Sequence, residues 1–229
     1  MIFLRRSKDR GRSKLRWLDS KHTFSFSNYY DPQFMGVSAL RVINDDRVIP
    51  GEGFSTHSHK DMEIISYVKK GTIEHKDSMG NIQCLPAGEF QLMSAGTGVT
   101  HSEYNPSFEE ELEFLQIWIL PNKKGVKPGY QQKEFEFNEG LNLVVSEKGD
   151  EGSLKIHQDM RLYHLNLPKD TNQTITLGSN RTLYIHMISG ELIVFNETIF
   201  EGDGVAIIQE NEIQLLANKT TDALIFDLP

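Results

Sequence analysis

From Gly36 onward, apolar residues come in short runs broken by Gly, Asp, Asn and Pro, and hardly any stretch repeats them every third or fourth position. Alternation with a period of two, interrupted this often, builds strands and not helices, so the pattern predicts an all-β chain. In the first half, strands are expected over 36–48, 64–68, 72–75, 90–93 and 112–120, with Lys70 and Gly71 turning 64–68 and 72–75 into a hairpin. The 112–120 segment carries Leu112, Phe114, Gln116, Trp118 and Leu120 on one face and Leu115, Ile117 and Ile119 on the other. With both faces largely apolar, it is expected to be a central strand covered on both sides.

Residues 121–129 combine two prolines, two glycines and three lysines without a core pattern, as a linker would. A boundary is therefore expected nearby, separating an N-terminal domain of residues 1–137 from a C-terminal domain of residues 138–229. Beyond it the strand rhythm resumes at 141–145, 162–167, 174–177, 183–188, 191–195, 204–208, 212–216 and 223–228. The halves also resemble each other: Val68 to Glu74 and Met187 to Ile193 both read strand, glycine turn, strand, about Gly71 and Gly190. A duplicated β-barrel is the economical account.

Composition narrows the classes. A chain of 229 residues that is 38% hydrophobic and 10% aromatic has ample material for a core, which excludes intrinsic disorder. The net charge of −8 argues against nucleic acid as the main partner, because a phosphate backbone would be repelled on average. One basic stretch runs against this: Arg5, Arg6, Lys8, Arg10, Arg12, Lys14 and Arg16, whose alternation from Arg10 onward reads as a solvated strand face. No apolar run approaches the roughly 20 residues of a membrane span, and the first residues lack the apolar stretch of a secretory leader, so a soluble cytoplasmic protein is expected. Cys84 is alone and excludes an internal disulfide; beside Leu85 and Pro86 it reads as a small apolar turn residue.

Five of the eight histidines, His22, His57, His59, His75 and His101, lie in the first 101 residues. In an extended strand, side chains two apart point the same way, so the imidazoles of His57 and His59 can reach one ion. His101 and Glu103 repeat the spacing and add a third imidazole and a carboxylate. Three neutral nitrogens and one anionic oxygen suit a first-row divalent ion such as Fe, Mn, Co, Ni, Cu or Zn, and suit Ca or Mg poorly. Four ligands would leave positions open on a six-coordinate ion, as a catalytic site requires. His75, in the tip 74–77, is expected to be solvated; His157, His164 and His186 are isolated in the second half. Alignment of the halves puts Thr176, Gly178, Leu215 and Ala217 where the four ligands stand, so the second half is expected to hold no metal.

Gly51, then His57, His59 and Glu63 at intervals of six, two and four, followed by Gly71, resembles the first motif of the cupin superfamily with one extra residue before the last glycine. Pro86, Ala87 and Gly88 open the second motif, whose histidine, His101, comes late across Ser94 to Gly98, with Asn105 following. That departure, together with Met93 to Pro106, Trp17 to Ser20, His22 to Phe26, Tyr29 to Pro32 and Gly152 to Asp159, resembles the pirin family, and within it the bacterial pirin-like quercetin 2,3-dioxygenases.

The resemblance implies a bicupin, two tandem jelly-roll (double-stranded β-helix) barrels. It implies that His57, His59, His101 and Glu103 hold one divalent metal, Fe(II) first, with Zn, Ni, Co, Mn or Cu as alternatives. Glu63 is then not a ligand, and either orients an imidazole or is a solvated strand residue. The implied activity is opening of the ring of a flavonol such as quercetin by O2 with release of CO, Glu103 taking the proton of the 3-hydroxyl. Phe54, Met62, Phe90 and Met93 are candidate walls excluding water. The competing reading is a non-enzymatic pirin-type regulator whose metal tunes a surface for a protein partner in transcription or metabolism.

Overall fold

The computed structural model describes residues 1–229, and the chain is built almost entirely of strands. The first half contributes β1 (Ile2–Arg5), β2 (Gly11–Lys14), β3 (Leu18–His22), β4 (Leu40–Val48), β5 (Gly53–His59), β6 (Glu63–Lys70), β7 (Thr72–Asp77), β8 (Ile82–Pro86), β9 (Phe90–Ser94), β10 (Val99–Tyr104), β11 (Leu112–Ile119) and β12 (Gly129–Lys133). The second half contributes β13 (Gly140–Ser146), β14 (Leu154–Lys155), β15 (Arg161–Leu167), β16 (Asn172–Thr176), β17 (Thr182–Val194), β18 (Glu197–Phe200), β19 (Gly204–Ile208) and β20 (Glu212–Leu228). The helices are two three-residue turns, and no helix is long and apolar enough to cross a membrane.

Two compact units divide the chain. One comprises residues 11–135 with 156–158; the other comprises 1–10, 136–155 and 159–229. Two features of this division differ from the sequence expectation. The first ten residues join the C-terminal unit, because β1 pairs antiparallel with β19 from Ile2 opposite Ile207 to Arg5 opposite Gly204. The segment 121–129 is no boundary: the Gly125 amide donates to Asp61 and the Val126 carbonyl accepts from the Thr97 amide, and β12 then pairs with β9 inside the same unit. Basic residues of the N-terminal stretch are consumed by their own units. Arg6 donates to Thr198, Glu197 and Asp203 at 2.7–3.1 Å, and Arg12 forks onto Asp19.

The unit of residues 11–135 is a sandwich of a seven-stranded sheet, ordered β12-β9-β6-β11-β4-β3-β2, and a four-stranded sheet, ordered β5-β10-β7-β8. As its two apolar faces foretell, β11 is a central strand, between β6 and β4. The expected hairpin at Gly71 does not form. β6 pairs with β9 and β11, whereas β7 pairs with β8 and β10, so Gly71, at a φ of +79°, carries the chain around a corner from one sheet to the other. Left-handed backbone there suits glycine. Leu18, Val48, Val68, Ile73, Leu85, Leu112 and Phe114, drawn from both sheets, fill one end of the sandwich. A second apolar cluster joins Ile64, Met93, Ala95 and Val99, and the polar side chains of Ser66, His75, Gln91, Glu103 and Gln116 are buried in the same unit.

The other unit closes around an apolar interior that includes Leu165, Leu183, Ile185, Leu192, Val205, Leu215, Ala217 and Ile225. Segments read separately as 183–188 and 191–195 are one bent strand, β17, with Gly190 at the bend, and 212–216 and 223–228 are both parts of β20. Leu215 and Ala217 are fully buried in this interior.

β5 and β10 approach closely at Gly53, where a Cβ would lie 2.3 Å from the Glu103 carbonyl oxygen and 2.5 Å from the Tyr104 Cα. No side chain fits that gap. Gly53→Ala is therefore expected to separate the two strands and cost roughly 1–3 kcal/mol of stability, read as a lowered urea midpoint; an unchanged midpoint would show that the strands tolerate the spacing.

Candidate metal centre

β5 and β10 run antiparallel with His57 opposite His101 and His59 opposite Val99, so the three imidazoles share the inner face of the four-stranded sheet. The register slips by one between His101 and Glu103, which places Glu103 opposite Phe54 on one side and opposite His75 of β7 on the other. Ring centroids are 4.5 Å apart for His57 and His101, 4.8 Å for His57 and His59, and 4.9 Å for His59 and His101. Nitrogens of these three histidines lie within 4.8 Å of one another, and so do ligand atoms of His75, His101 and Glu103. The four residues of the expected ligand set do not form one such cluster: Glu103 groups with His101 and His75.

Hydrogen bonding separates the two groups. His75, expected in solvent, is fully buried and engaged at both ring nitrogens. Its Nε2 donates to the Asp77 carboxylate at 3.1 Å and its Nδ1 accepts from the Gln91 amide at 3.4 Å. Burial acts to raise the Asp77 pKa, but bonds from Asn81, His75 and backbone amides outweigh it and leave the group below the usual carboxylate range. His101 is the opposite case: it is 1% exposed and neither ring nitrogen has a partner. A buried imidazole left this way is destabilising unless something outside the protein's own groups binds it. His57 Nδ1 donates to the Ser55 carbonyl at 2.8 Å, which fixes the proton there and frees Nε2.

The electrostatics favour a cation. Burial, then repulsion from neighbouring imidazoles, lowers His59 to about 4 and His101 to about 3. Both are thus neutral lone-pair donors at neutral pH. Glu103 is 2% exposed, and burial raises its pKa; Gln116 donates to it at 2.7 Å and Ser66 at 3.3 Å, so one carboxyl ties the four-stranded sheet to β11 and β6. The residues present fit a divalent transition ion: three convergent imidazoles, one of them buried with neither nitrogen partnered, and a fixed carboxyl alongside.

Beside His57 and His59 a cavity of about 510 Å³ opens within this unit. Trp17, Phe26, Phe54 and Trp118 give it aromatic walls, and His22, Asn44, Asp46 and Gln116 a polar floor. Of the four expected wall residues only Phe54 lines it: Phe90 and Met93 are fully buried core, and Met62 packs against the cluster of Ile64, Met93, Ala95 and Val99. Glu63 is not solvated, and the imidazole it binds is no candidate ligand. It is 1% exposed, accepts from Ser94 at 2.8 Å, and pairs with His157 at 3.2 Å, which pins residues 156–158 to β6. Cys84, expected as a small apolar residue, is exposed and free. His75, Asn44 and Asp46 escaped the sequence reading. Alternation of Ile73 and His75 with Glu74 and Lys76 marks His75 as inward, but which strands adjoin β7 has no local trace.

Acidification tests the buried imidazoles. The unfolded chain takes up protons near the ordinary histidine pKa of 6.5, while folded His59 and His101 resist to about 4 and about 3. Protons therefore favour the unfolded state below about pH 6.5, so their contribution to stability is complete above that pH and lost as pH falls from there toward 3–4. Metal-free protein is expected to lose thermal midpoint over this range, and His101→Asn to flatten part of the fall; identical profiles would contradict the burial.

Comparison with known proteins places the chain in a family. The Pirin family model matches residues 4–119, and the model described as "Quercetinase C-terminal cupin domain" matches residues 143–228. Quercetin 2,3-dioxygenase of Escherichia coli strain K12 is 51% identical over all of this chain and 99% of its own length. A pirin-like protein of Caulobacter vibrioides is 37% identical over 92% of each chain. The crystal structure of the bacterial pirin YhhW of Escherichia coli in complex with nickel(II) superposes with a TM-score of 0.98 at 51% identity, covering 100% of this chain and 99% of the other. Matched along both halves and carrying the three-histidine cluster in the first, this chain belongs to the pirin family of bicupins.

Proposed function

We propose that the protein is a metal-dependent dioxygenase that opens the central ring of flavonols such as quercetin with O2 and releases CO. The observation that carries the reading is His101: a buried imidazole with two unpartnered nitrogens, set among His57 and His59 beside a cavity of the size that small planar molecules occupy. His57, His59 and His101 would hold the ion, with Glu103 as the fourth ligand. The set accepts Fe(II), the ion the family resemblance first suggests, and equally Ni(II), the ion named with the Escherichia coli relative. A bound transition ion supplies the electron-transfer route that triplet O2 and a closed-shell enol otherwise lack.

The protein's own groups do the rest. Glu103 takes the proton of the flavonol 3-hydroxyl, a role its burial-raised pKa suits, and Gln116 and Ser66 hold the carboxyl in place as it does so. Trp17, Phe54 and Trp118 enclose the ring system and keep water from the activated enolate. Trp118 also stands edge-on to His59 at 5.0 Å, fixing the plane of that imidazole.

Elemental analysis should find about one divalent transition ion per chain, and quercetin absorbance should fall in air with CO evolved, and not under argon. His101→Ala is expected to lose metal and turnover together, and turnover retained in that variant would refute the site. Glu103→Gln is expected to keep much of the metal while losing roughly 10²–10⁴-fold in rate. Metal bound without turnover of any flavonol in air would instead favour the regulator reading.

A further inference from the structure

The cavity floor holds a row of polar side chains that the proton transfer does not use. They come from neighbouring strands in register: Gln116 opposite Asn44, Asn44 opposite His22, and Asp46 opposite Ser20. Most of this row is mutually satisfied. Asn44 Oδ1 meets His22 Nδ1 at 2.8 Å, and His22 Nε2 meets the Ser13 hydroxyl at 2.8 Å, so His22 donates to Asn44 and accepts from Ser13. Asp46 breaks the pattern. It is 1% exposed, it lines the cavity, and its Oδ1 has no donor.

Resting on the oxygenase reading above, we propose that Asp46 and Asn44 form a subsite that recognises ring hydroxyls, so that the cavity selects polyhydroxylated aromatic substrates over unsubstituted ones. A planar ring slides between the aromatic walls, and a phenolic O–H donates to the carboxyl that the protein leaves short of a donor. Burial raises Asp46 to about 7, and a hydroxyl donated to it would stabilise its anion. A floor built to bond a hydroxyl penalises the analogue lacking one, since the buried acceptor then stays unpaired.

Titrating metal-loaded protein under argon with quercetin and with 3-hydroxyflavone, which lacks the other ring hydroxyls, reads the subsite without turnover. The wild type is expected to prefer quercetin by roughly 10- to 100-fold. Asp46→Leu should bring the ratio close to one. Asp46→Asn, which keeps the volume and serves if the leucine variant does not fold, should lower it by roughly threefold or more, since it trades a charged acceptor for a neutral one. Equal affinities in the wild type, no binding of either flavonol, or a ratio retained in both variants would overturn the subsite. Turnover in air is scored separately: preference under argon with no oxygen-dependent loss of either flavonol would sink the oxygenase reading and leave the subsite standing.

Discussion

A jelly-roll interior normally excludes unpaired polar groups, and this one is organised around a ring that breaks the rule. His101 is buried with both nitrogens unpartnered, set against two further imidazoles, and burial first, then repulsion from neighbouring imidazoles, keeps protons away. Leaving such groups unsatisfied is costly in a low-dielectric interior, and the arrangement makes physical sense once a cation supplies the missing partner. The closeness of β5 to β10, the glycine at position 53 and the corner at Gly71 all serve to bring these rings together.

Around that cluster, polar and apolar sections of the same sandwich do different work. Leu18, Val48, Val68, Phe114 and their neighbours supply the burial that stabilises the sheets against each other. Glu103 crosses from one sheet to the other through Gln116 and Ser66, and His75 does so through Gln91. These inter-sheet hydrogen bonds fix where the Glu103 carboxyl sits relative to the imidazoles. The second unit shows what the same kind of duplicated pattern becomes when the inward positions are Leu, Val, Ile and Ala: an apolar core.

The two histidine groups differ in hydrogen bonding more than in burial or proximity. His75 is as deeply buried as His101 and lies 5.4 Å from it, yet Asp77 and Gln91 occupy its nitrogens. Glu63 makes the same point among the carboxylates, since Ser94 and His157 have claimed it for holding a distant segment in place.

The period-two hydropathy marked the all-β class, and the spacing of His57 with His59 and of His101 with Glu103 put each pair on one face, because same-face placement two residues apart is a local property of any strand. That the two pairs meet took the pairing of β5 with β10. The apolar double face of 112–120 likewise announced a central strand without any knowledge of its neighbours. Pairing was a different matter. Whether Gly71 closes a hairpin or turns a corner, which unit residues 1–10 belong to, and which groups meet an inward His75 all depend on which strands lie alongside, a choice made by long-range packing that leaves no mark in a single segment. The unpartnered Oδ1 of Asp46 is of this kind too: strand alternation can point the side chain inward, but only the assembled sandwich leaves one oxygen of a carboxyl lining the cavity without a donor.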